Sequence, residues 1–450
     1  MKKLLKILFC IVFMLMITLP TLSMMFGDGK VGADNAEKRE LAAMPVFKKE
    51  DGSINSDFFA EFDDYMSDNF GFRSFLVNAF STVKASVFKT SSEEDVIIGK
   101  DDWLFYSETL DDYTRNGVLS KDDIYSIGKT LDLINEYVES KGGKLVFFIA
   151  PNKNTIYPEK MPYYYRKGSG SSNLDLLSNA LADRAYYLNI VPILEEGKKT
   201  TQIYHSLDSH WNNMGAAIGF NAMMDKLNVT HTDYTALSYN VSNTHKGDLE
   251  KMLYPTSKNL DAQVHFDYKN TYEYATRFKT EEDVTIKTIC ANKEGSAVIY
   301  RDSFCNALLP MIAESFGKAE FSRVFPYRLN LVEKNESEYV VIELVERNIK
   351  KLIESAPVMP APVRDEITKD QLEVLDAEVA TKKSGGMIEI SGKLVGGEKD
   401  DSAPKNKPIF VTVKDGNTET VYEAFPINGF SAYIPYESTE GLEINICKLK

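Results

Sequence analysis

Cysteine, histidine and tryptophan are all scarce in this 450-residue chain, which has four, five and two of them respectively. Cys10, Cys290, Cys305 and Cys447 contain no C-x-x-C spacing, and Cys10 lies in an apolar N-terminal run away from the others. That excludes a disulfide framework and a cysteine-based zinc site. A low cysteine count is compatible with an exported protein whose large core makes disulfides unnecessary. Basic residues number 52 against 66 acidic ones, a net charge of −14, and no basic cluster occurs beyond the first six residues. A nucleic-acid partner is thereby excluded, and the folded part is poorly suited to anionic lipid. The chain also lacks a P-loop, a dinucleotide fingerprint, metal-ligand spacing and internal repeats, so no cofactor is implied.

One long apolar run is present. Met1-Lys-Lys-Leu-Leu-Lys6 precedes an uncharged stretch from Ile7 to Phe26, followed by Asp28, Asp34 and Glu37. About 20 apolar residues suffice to cross a bilayer core. The lysines place the N-terminus in the cytoplasm and the remainder outside. An uncleaved signal anchor and a cleaved signal peptide are both open, although no clean A-x-A site follows. The expected location is a single-pass protein of the cell membrane with its folded part extracellular.

The remaining chain divides by composition. Residues 1–27 read as anchor or signal segment and 28–56 as linker. Residues 57–355 read as an α/β domain, 356–383 as a second linker containing Pro357, Pro360 and Pro362, and 384–450 as a small β-sandwich. Aromatics at helical spacing (Phe58, Phe59, Phe62, Tyr65, then Phe70, Phe72, Phe75, Phe80) predict two short amphipathic helices broken at 69–71, with the rings in a core. Strands are expected at 96–99, 103–106, 144–150, 188–193, 295–300 and 339–343. Helices are expected at 121–140, 172–185, 213–227, 304–316 and 347–354. The near-continuous apolar run Lys144-Leu-Val-Phe-Phe-Ile-Ala150 suits a central parallel strand. Alternating strands and helices give a mostly parallel, flavodoxin-like sheet, with its active site at the carboxyl ends of the strands.

Two short stretches carry the chemistry. In Leu207-Asp208-Ser209-His210-Trp211, Asp208 and His210 are two apart, so in an extended segment both point the same way and the carboxylate can orient the imidazole. Taken alone, such a pair also reads as a surface ion pair. In Val298-Ile-Tyr300-Arg301-Asp302-Ser303-Phe304, a serine follows an apolar strand and precedes a helix. That position exposes Oγ and turns main-chain N–H groups toward an oxyanion; alone, it also reads as a helix cap. Together they supply nucleophile, base and orienter. Cys305 is the rival nucleophile and is expected to be packed. Lys153 and Tyr157 follow the central strand and either line the cleft or belong to a proline-bounded turn. Glu343, Glu346 and Arg347 close another strand, where an ion-pair network is the plain reading. Gly247-Asp248-Leu249 lies in a loop as a rim element.

Four stretches resemble the SGNH-hydrolase-like family that includes the alginate O-acetyltransferases AlgJ and AlgX and the DHHW proteins: Gly99–Tyr106, Ala150–Pro158, Asp208–Trp211 and Arg301–Ser303. The resemblance implies an SGNH-hydrolase-like catalytic domain with Asp208, His210 and Ser303 as triad. It implies acetyl transfer through an acyl-serine to an exported polysaccharide, and a multipass membrane O-acyltransferase as donor partner. Ser209 replaces the first histidine of the family's Asp-His-His-Trp pattern and is expected to point away from His210. Arg301 replaces the usual glycine, which leaves the second oxyanion donor unassigned; Tyr300, Arg301 and Arg347 are the candidates, and Trp211 also belongs to the expected cleft. A glycan esterase with the same triad remains an alternative. So does a non-catalytic export scaffold, which requires Ser303 to lie far from His210.

Overall fold

Strands buried on both faces build the centre of the molecule. The computed structural model describes residues 2–26, 42–49, 51–71, 73–88, 90–395 and 408–450. A hairpin of β1 (Val96–Ile98) and β2 (Leu104–Tyr106) precedes β3 (Lys144–Ala150) and β4 (Tyr187–Leu188). A second hairpin pairs β5 (Tyr239–His245) with β6 (Asp261–Phe266). Then come β7 (Glu273–Tyr274), β8 (Thr285–Ile289), β9 (Ser296–Tyr300), β10 (Lys318–Ser322) and β11 (Tyr339–Val345). Seven strands form one sheet in the order β4-β3-β11-β9-β10-β8-β7. The first five run parallel, and β8 and β7 close the edge antiparallel.

Alternation along the strands separates two cores. Val146, Phe148, Ile299 and Val341 face one side, while Phe147, Ile149, Val298 and Ile342 face the other. The first face is covered by helices Val191–Lys198 and Asn213–Leu227, the second by Lys121–Ser140 and Asn173–Ala180. Ser120 and Ser172 start their helices with capping boxes shared with Asp123 and Asp175. Asn212 caps the 213–227 helix by accepting from the N–H groups of Met214 and Gly215, which fixes the chain just after Trp211.

Two sheets follow, β12-β18-β15-β16 and β13-β14-β17. Their strands are β12 (Leu372–Val374), β13 (Ala377–Ser384), β14 (Met387–Leu394), β15 (Ile409–Asp415), β16 (Thr418–Glu423), β17 (Phe430–Ile434) and β18 (Leu442–Leu449). Ile388, Ile390, Val411, Val413, Phe430 and Ile446 share a core between them, a β-sandwich. Phe425, Ile427 and Tyr433 join the core of the parallel sheet instead, so the sandwich is docked on it.

Several expectations need correction. Residues 356–383 are not simply a linker: β12 and nearly all of β13 fall inside them, and Ala361 N–H donates to Tyr433 O. The apolar run 188–193 is not one strand. Pro192 sits in the first turn of the 191–198 helix, where its missing N–H costs nothing. The expected 304–316 helix is a 3-10 turn (Phe304–Asn306) and a helix (Leu309–Ala313), and Glu346–Ile353 is 3-10 throughout. Helices Phe58–Asn69 and Arg73–Phe88 break where expected, yet the first buries no residue and Phe59 is 79% exposed. Phe58, Phe62 and Tyr65 pack mainly on one another and Phe47. Phe72, the side chain of Phe75, and residues 27–41 of the first linker lie outside the described residues.

Lys2–Phe26 is a helix of 25 residues with Ile7, Phe9, Ile11 and Phe13 exposed. Among the described residues no helix is long and apolar enough to cross a membrane; the side chains at positions 2, 4, 16, 21 and 23–26 are outside that description.

Candidate active site

The carboxyl ends of β3, β11 and β9 lie side by side, and the chain leaving each reaches a common point. Ser303 stands three residues beyond β9 and is half-buried. The Asp208–His210 segment crosses above it in a tight loop closed by a bridge between Tyr204 and Trp211. His210 Nε2 is 2.8 Å from Ser303 Oγ, and His210 Nδ1 is 2.7 Å from Asp208 Oδ1. The same carboxylate oxygen accepts the His210 main-chain N–H at 2.9 Å, which is how the D-x-H spacing locks the ring. The two groups that a scaffold would hold apart are in contact.

Asp208 is 4% exposed and its second oxygen is also filled. Oδ2 accepts the Asp248 N–H at 2.8 Å and His245 Nε2–H at 2.9 Å. Gly247 permits the first of these, because a Cβ there would strike the main chain at Leu207. Burial alone would raise the Asp208 pKa, but the His210 and His245 imidazoles hold it well below the ordinary carboxylate value. For His210 burial pulls the pKa down, and Asp208 and Asp248 together outweigh it, so the imidazole sits above its ordinary value. Asp248 Oδ2 is 3.6 Å from Nδ1. The two aspartates and His210 offer ligand atoms all within 4.8 Å of one another. An Nδ1 that donates its proton to Asp208 has no lone pair for a cation, so the grouping reads as a hydrogen-bonded relay.

The expected cleft residues are distributed differently. Trp211 is 1% exposed and does not line a cleft. Its Nε1–H donates to Phe304 O at 2.9 Å, tying the base segment to the nucleophile turn. Lys153 is buried, with Nζ donating to the carbonyls of Ser206 and Asp208 at 2.9 and 2.8 Å, over the rings of Trp103 and Phe105. Burial pushes its pKa down to about 7 against the pull of Asp208, Asp261 and Asp248. Tyr157 is also buried, its hydroxyl accepting the Ile203 N–H. Both side chains support the loop from beneath. Tyr300 points into the opposite core and donates to Arg328 O. Arg301 is spent on Glu281 O, Asp283 O and Asn306. These are tethers, since side chains alternate across β9 and only the turn after it reaches the site.

Arg347 is the exception. It is half-exposed, its guanidinium 5.6 Å from the Phe304 ring and 5.5 Å from Tyr106, and its charge opposes protonation of His210. Glu343 and Glu346 form no ion pair among the described residues. Glu343 accepts the Asp302 N–H, and Glu346 accepts from Asn152 N–H and Thr155 Oγ–H. Burial lifts the Glu346 pKa to about 7. Cys305 is fully buried and its thiol pKa is pushed up, which leaves Ser303 as the accessible nucleophile. Ser209 does not point away: its Oγ donates to Asp248 at 2.7 Å and lies 3.2 Å from His210 Nδ1. Asp248 is therefore part of the site rather than its rim. His245 went unnoticed in the sequence; its signal was scarcity, one of five histidines, two residues before Gly247.

A groove of about 740 Å3 opens beside the segment, walled by Leu104, Tyr163, Tyr164, Leu207 and Tyr254. Tyr163 is 86% exposed.

Residues 96–294 match the family described as ALGX: SGNH hydrolase-like domain, acetyltransferase AlgX. The chain is 27% identical over 168 residues to the probable alginate O-acetylase AlgJ of Pseudomonas putida, covering 35% of this chain and 42% of that protein. To AlgJ of Pseudomonas syringae pv. tomato it is 25% identical over 158 residues, covering 34% and 38%. The matched stretch thus spans about two fifths of these relatives. The solved O-acetyltransferase domain of Pseudomonas putida AlgJ aligns with a TM-score of 0.38 at 17% identity, over 56% of this chain and 91% of that one. The stretch 96–294, with Asp208, His210 and Asp248, is an SGNH hydrolase-like domain similar to that of the acetyltransferases AlgX and AlgJ, and Ser303 joins it from just beyond the matched residues.

Proposed function

We propose that this protein is an extracytoplasmic serine O-acetyltransferase that places acetyl groups on hydroxyls of an exported cell-surface polysaccharide. The observation that carries the reading is the continuous contact Asp208–His210–Ser303, at 2.7 and 2.8 Å. His210 takes the Ser303 proton as Oγ attacks an acetyl carbonyl, then returns it to the departing group. The acetyl-serine is next attacked by a sugar hydroxyl, whose proton passes to the same Nε2 and from there to Ser303 Oγ as that oxygen leaves, so the acetylated sugar is released and the free serine restored. Asp208 fixes the tautomer and stabilises the imidazolium. The proposed oxyanion donors are the Ser303 N–H and Arg347, whose guanidinium lies beside the Phe304 ring and whose charge reaches His210. Phe304 N–H is not available, being held by Asp302 Oδ1 at 3.0 Å.

Acetyl and polysaccharide come from the similar proteins, which are probable alginate O-acetylases. A multipass membrane O-acyltransferase is the proposed donor partner, since acetyl groups must be handed across the bilayer. The uncharged stretch Ile7–Phe26, preceded by Lys2, Lys3 and Lys6, is proposed as the membrane anchor on its sequence, since about 20 apolar residues are what a bilayer core requires.

The test is turnover of a chromogenic acetyl ester by the full chain in detergent, compared with Ser303→Ala and His210→Ala. Acetyl release lost in both variants supports the reading. Equal release from all three contradicts it.

A further inference from the structure

The second imidazole on Asp208 has a built position. His245 is the last residue of β5, and the ladder with β6 shifts register between Asn243 and His245, a bulge that re-aims the side chain. Its cross-strand partner is Asp261. The two side chains clasp the same segment. Asp261 accepts Ser206 Oγ–H and Leu207 N–H at 3.0 and 2.6 Å, while His245 Nε2–H reaches Asp208 Oδ2 at 2.9 Å. The His245 ring stacks on His205, centroids 3.9 Å apart and 11° from parallel. A hairpin 30 residues downstream of the motif is thus fitted against the orienting carboxylate, at an atom that His210 does not use.

We propose that His245 is a positioning residue of the active site, whose hydrogen bond to Asp208 limits how strongly that carboxylate raises the basicity of His210. This rests on His210 being the base at Ser303. A carboxylate shared between two imidazole donors is a weaker acceptor for each, because every donor stabilises the anion. A base must be largely unprotonated at its working pH, so an orienter that binds the imidazolium too well removes the base from service. Around His245 the titratable groups are Asp208 and His205 from the D-x-H segment, Asp261 from β6, Asp248 from the next helix, and Lys153 beneath. Burial and the neighbouring His245 push His205 down to about 4, so a neutral ring lies under the stack.

The test uses the full chain in detergent with His245→Phe, which keeps a flat ring on His205 but has no donor, and His245→Gln, whose amide N–H replaces Nε2–H. The His210 pKa is followed by NMR of histidine ring carbons, with five histidines assigned by single substitutions, and the acid limb of kcat/KM is followed on an acetyl ester. The expected result is an upward shift of both by about 0.5 to 1 unit in His245→Phe and parent-like values in His245→Gln. An unmoved His210 pKa in a folded His245→Phe protein overturns the proposal, as does a His245→Gln variant that behaves like His245→Phe. The NMR titration needs no turnover, so it decides the proposal even if the ester assay defeats the acetyl-transfer reading.

Discussion

Replacing Trp211 with phenylalanine separates two roles of one buried ring. Trp211 Nε1–H donates to Phe304 O, and the side chain is 1% exposed. Phenylalanine removes that donor from a buried carbonyl, at about 1–3 kcal/mol. The smaller ring also leaves a partial void against Gly219, adding about 1 kcal/mol. Stability is therefore expected to fall by about 2–4 kcal/mol, read from urea unfolding by far-UV circular dichroism. Tryptophan fluorescence is unsuitable, because only Trp103 would remain. The effect on turnover has a different origin: the bond holds the base segment against the nucleophile turn, and a shift of order 1 Å between reacting groups costs about 100-fold. A 10- to 100-fold loss in acetyl-ester kcat is expected in the folded variant. If Trp211→Phe is destabilised as calculated but keeps kcat within about twofold, the reasoning about alignment is wrong.

Three further outcomes follow from the buried charges. Asp208→Asn should lower kcat by about 10,000-fold while leaving the protein folded, since the amide favours the wrong imidazole tautomer; a loss below tenfold in the same ester assay would contradict the orienting role. Lys153 binds its proton more weakly folded (about 7) than unfolded (about 10.4), so parent stability rises with pH across that window by up to about 1.4 kcal/mol per unit; urea midpoints of Lys153→Met at pH 7.5 and 9.5 should lack this rise. Glu346 has the opposite sign: its folded pKa of about 7 exceeds the unfolded value of about 4.3, so its stability contribution is complete below the latter and lost as pH climbs through the former. Glu346→Gln should gain on the order of 3 kcal/mol relative to the parent between pH 4 and pH 8, and equal pH profiles would refute the assignment.

The sequence made β3, β9 and β11 legible because both faces are buried and each carries at least four consecutive apolar residues, Glu343 falling only near the end of β11. It hid β10, where Glu320 interrupts the run; that carboxylate is buried but satisfied by Lys287 and Asn335, contacts made only in the fold. It hid β12 and β13 because both are edge strands, largely exposed and rich in charge. Asp208, His210 and Ser303 were readable from local motifs, the first two in a loop before the 213–227 helix and Ser303 just after β9. The supports were not: His245 acts 37 residues from Asp208 through a bulge, and Lys153 looked like a cleft residue because a buried lysine donating to two carbonyls has no sequence signature. Ser209 was misjudged by strand alternation, which fails here because the segment turns and bonds Asp248.

The most direct measurement is the mass of the peptide Asp302–Lys318 after brief incubation of the full chain with an activated acetyl ester and acid quench. The account predicts one added acetyl group, located on Ser303, that accumulates in the parent and is absent from Ser303→Ala and His210→Ala. Ester turnover without any acetylated Ser303, or acetylation that persists in His210→Ala at the parent rate, would contradict an acyl-serine mechanism driven by His210.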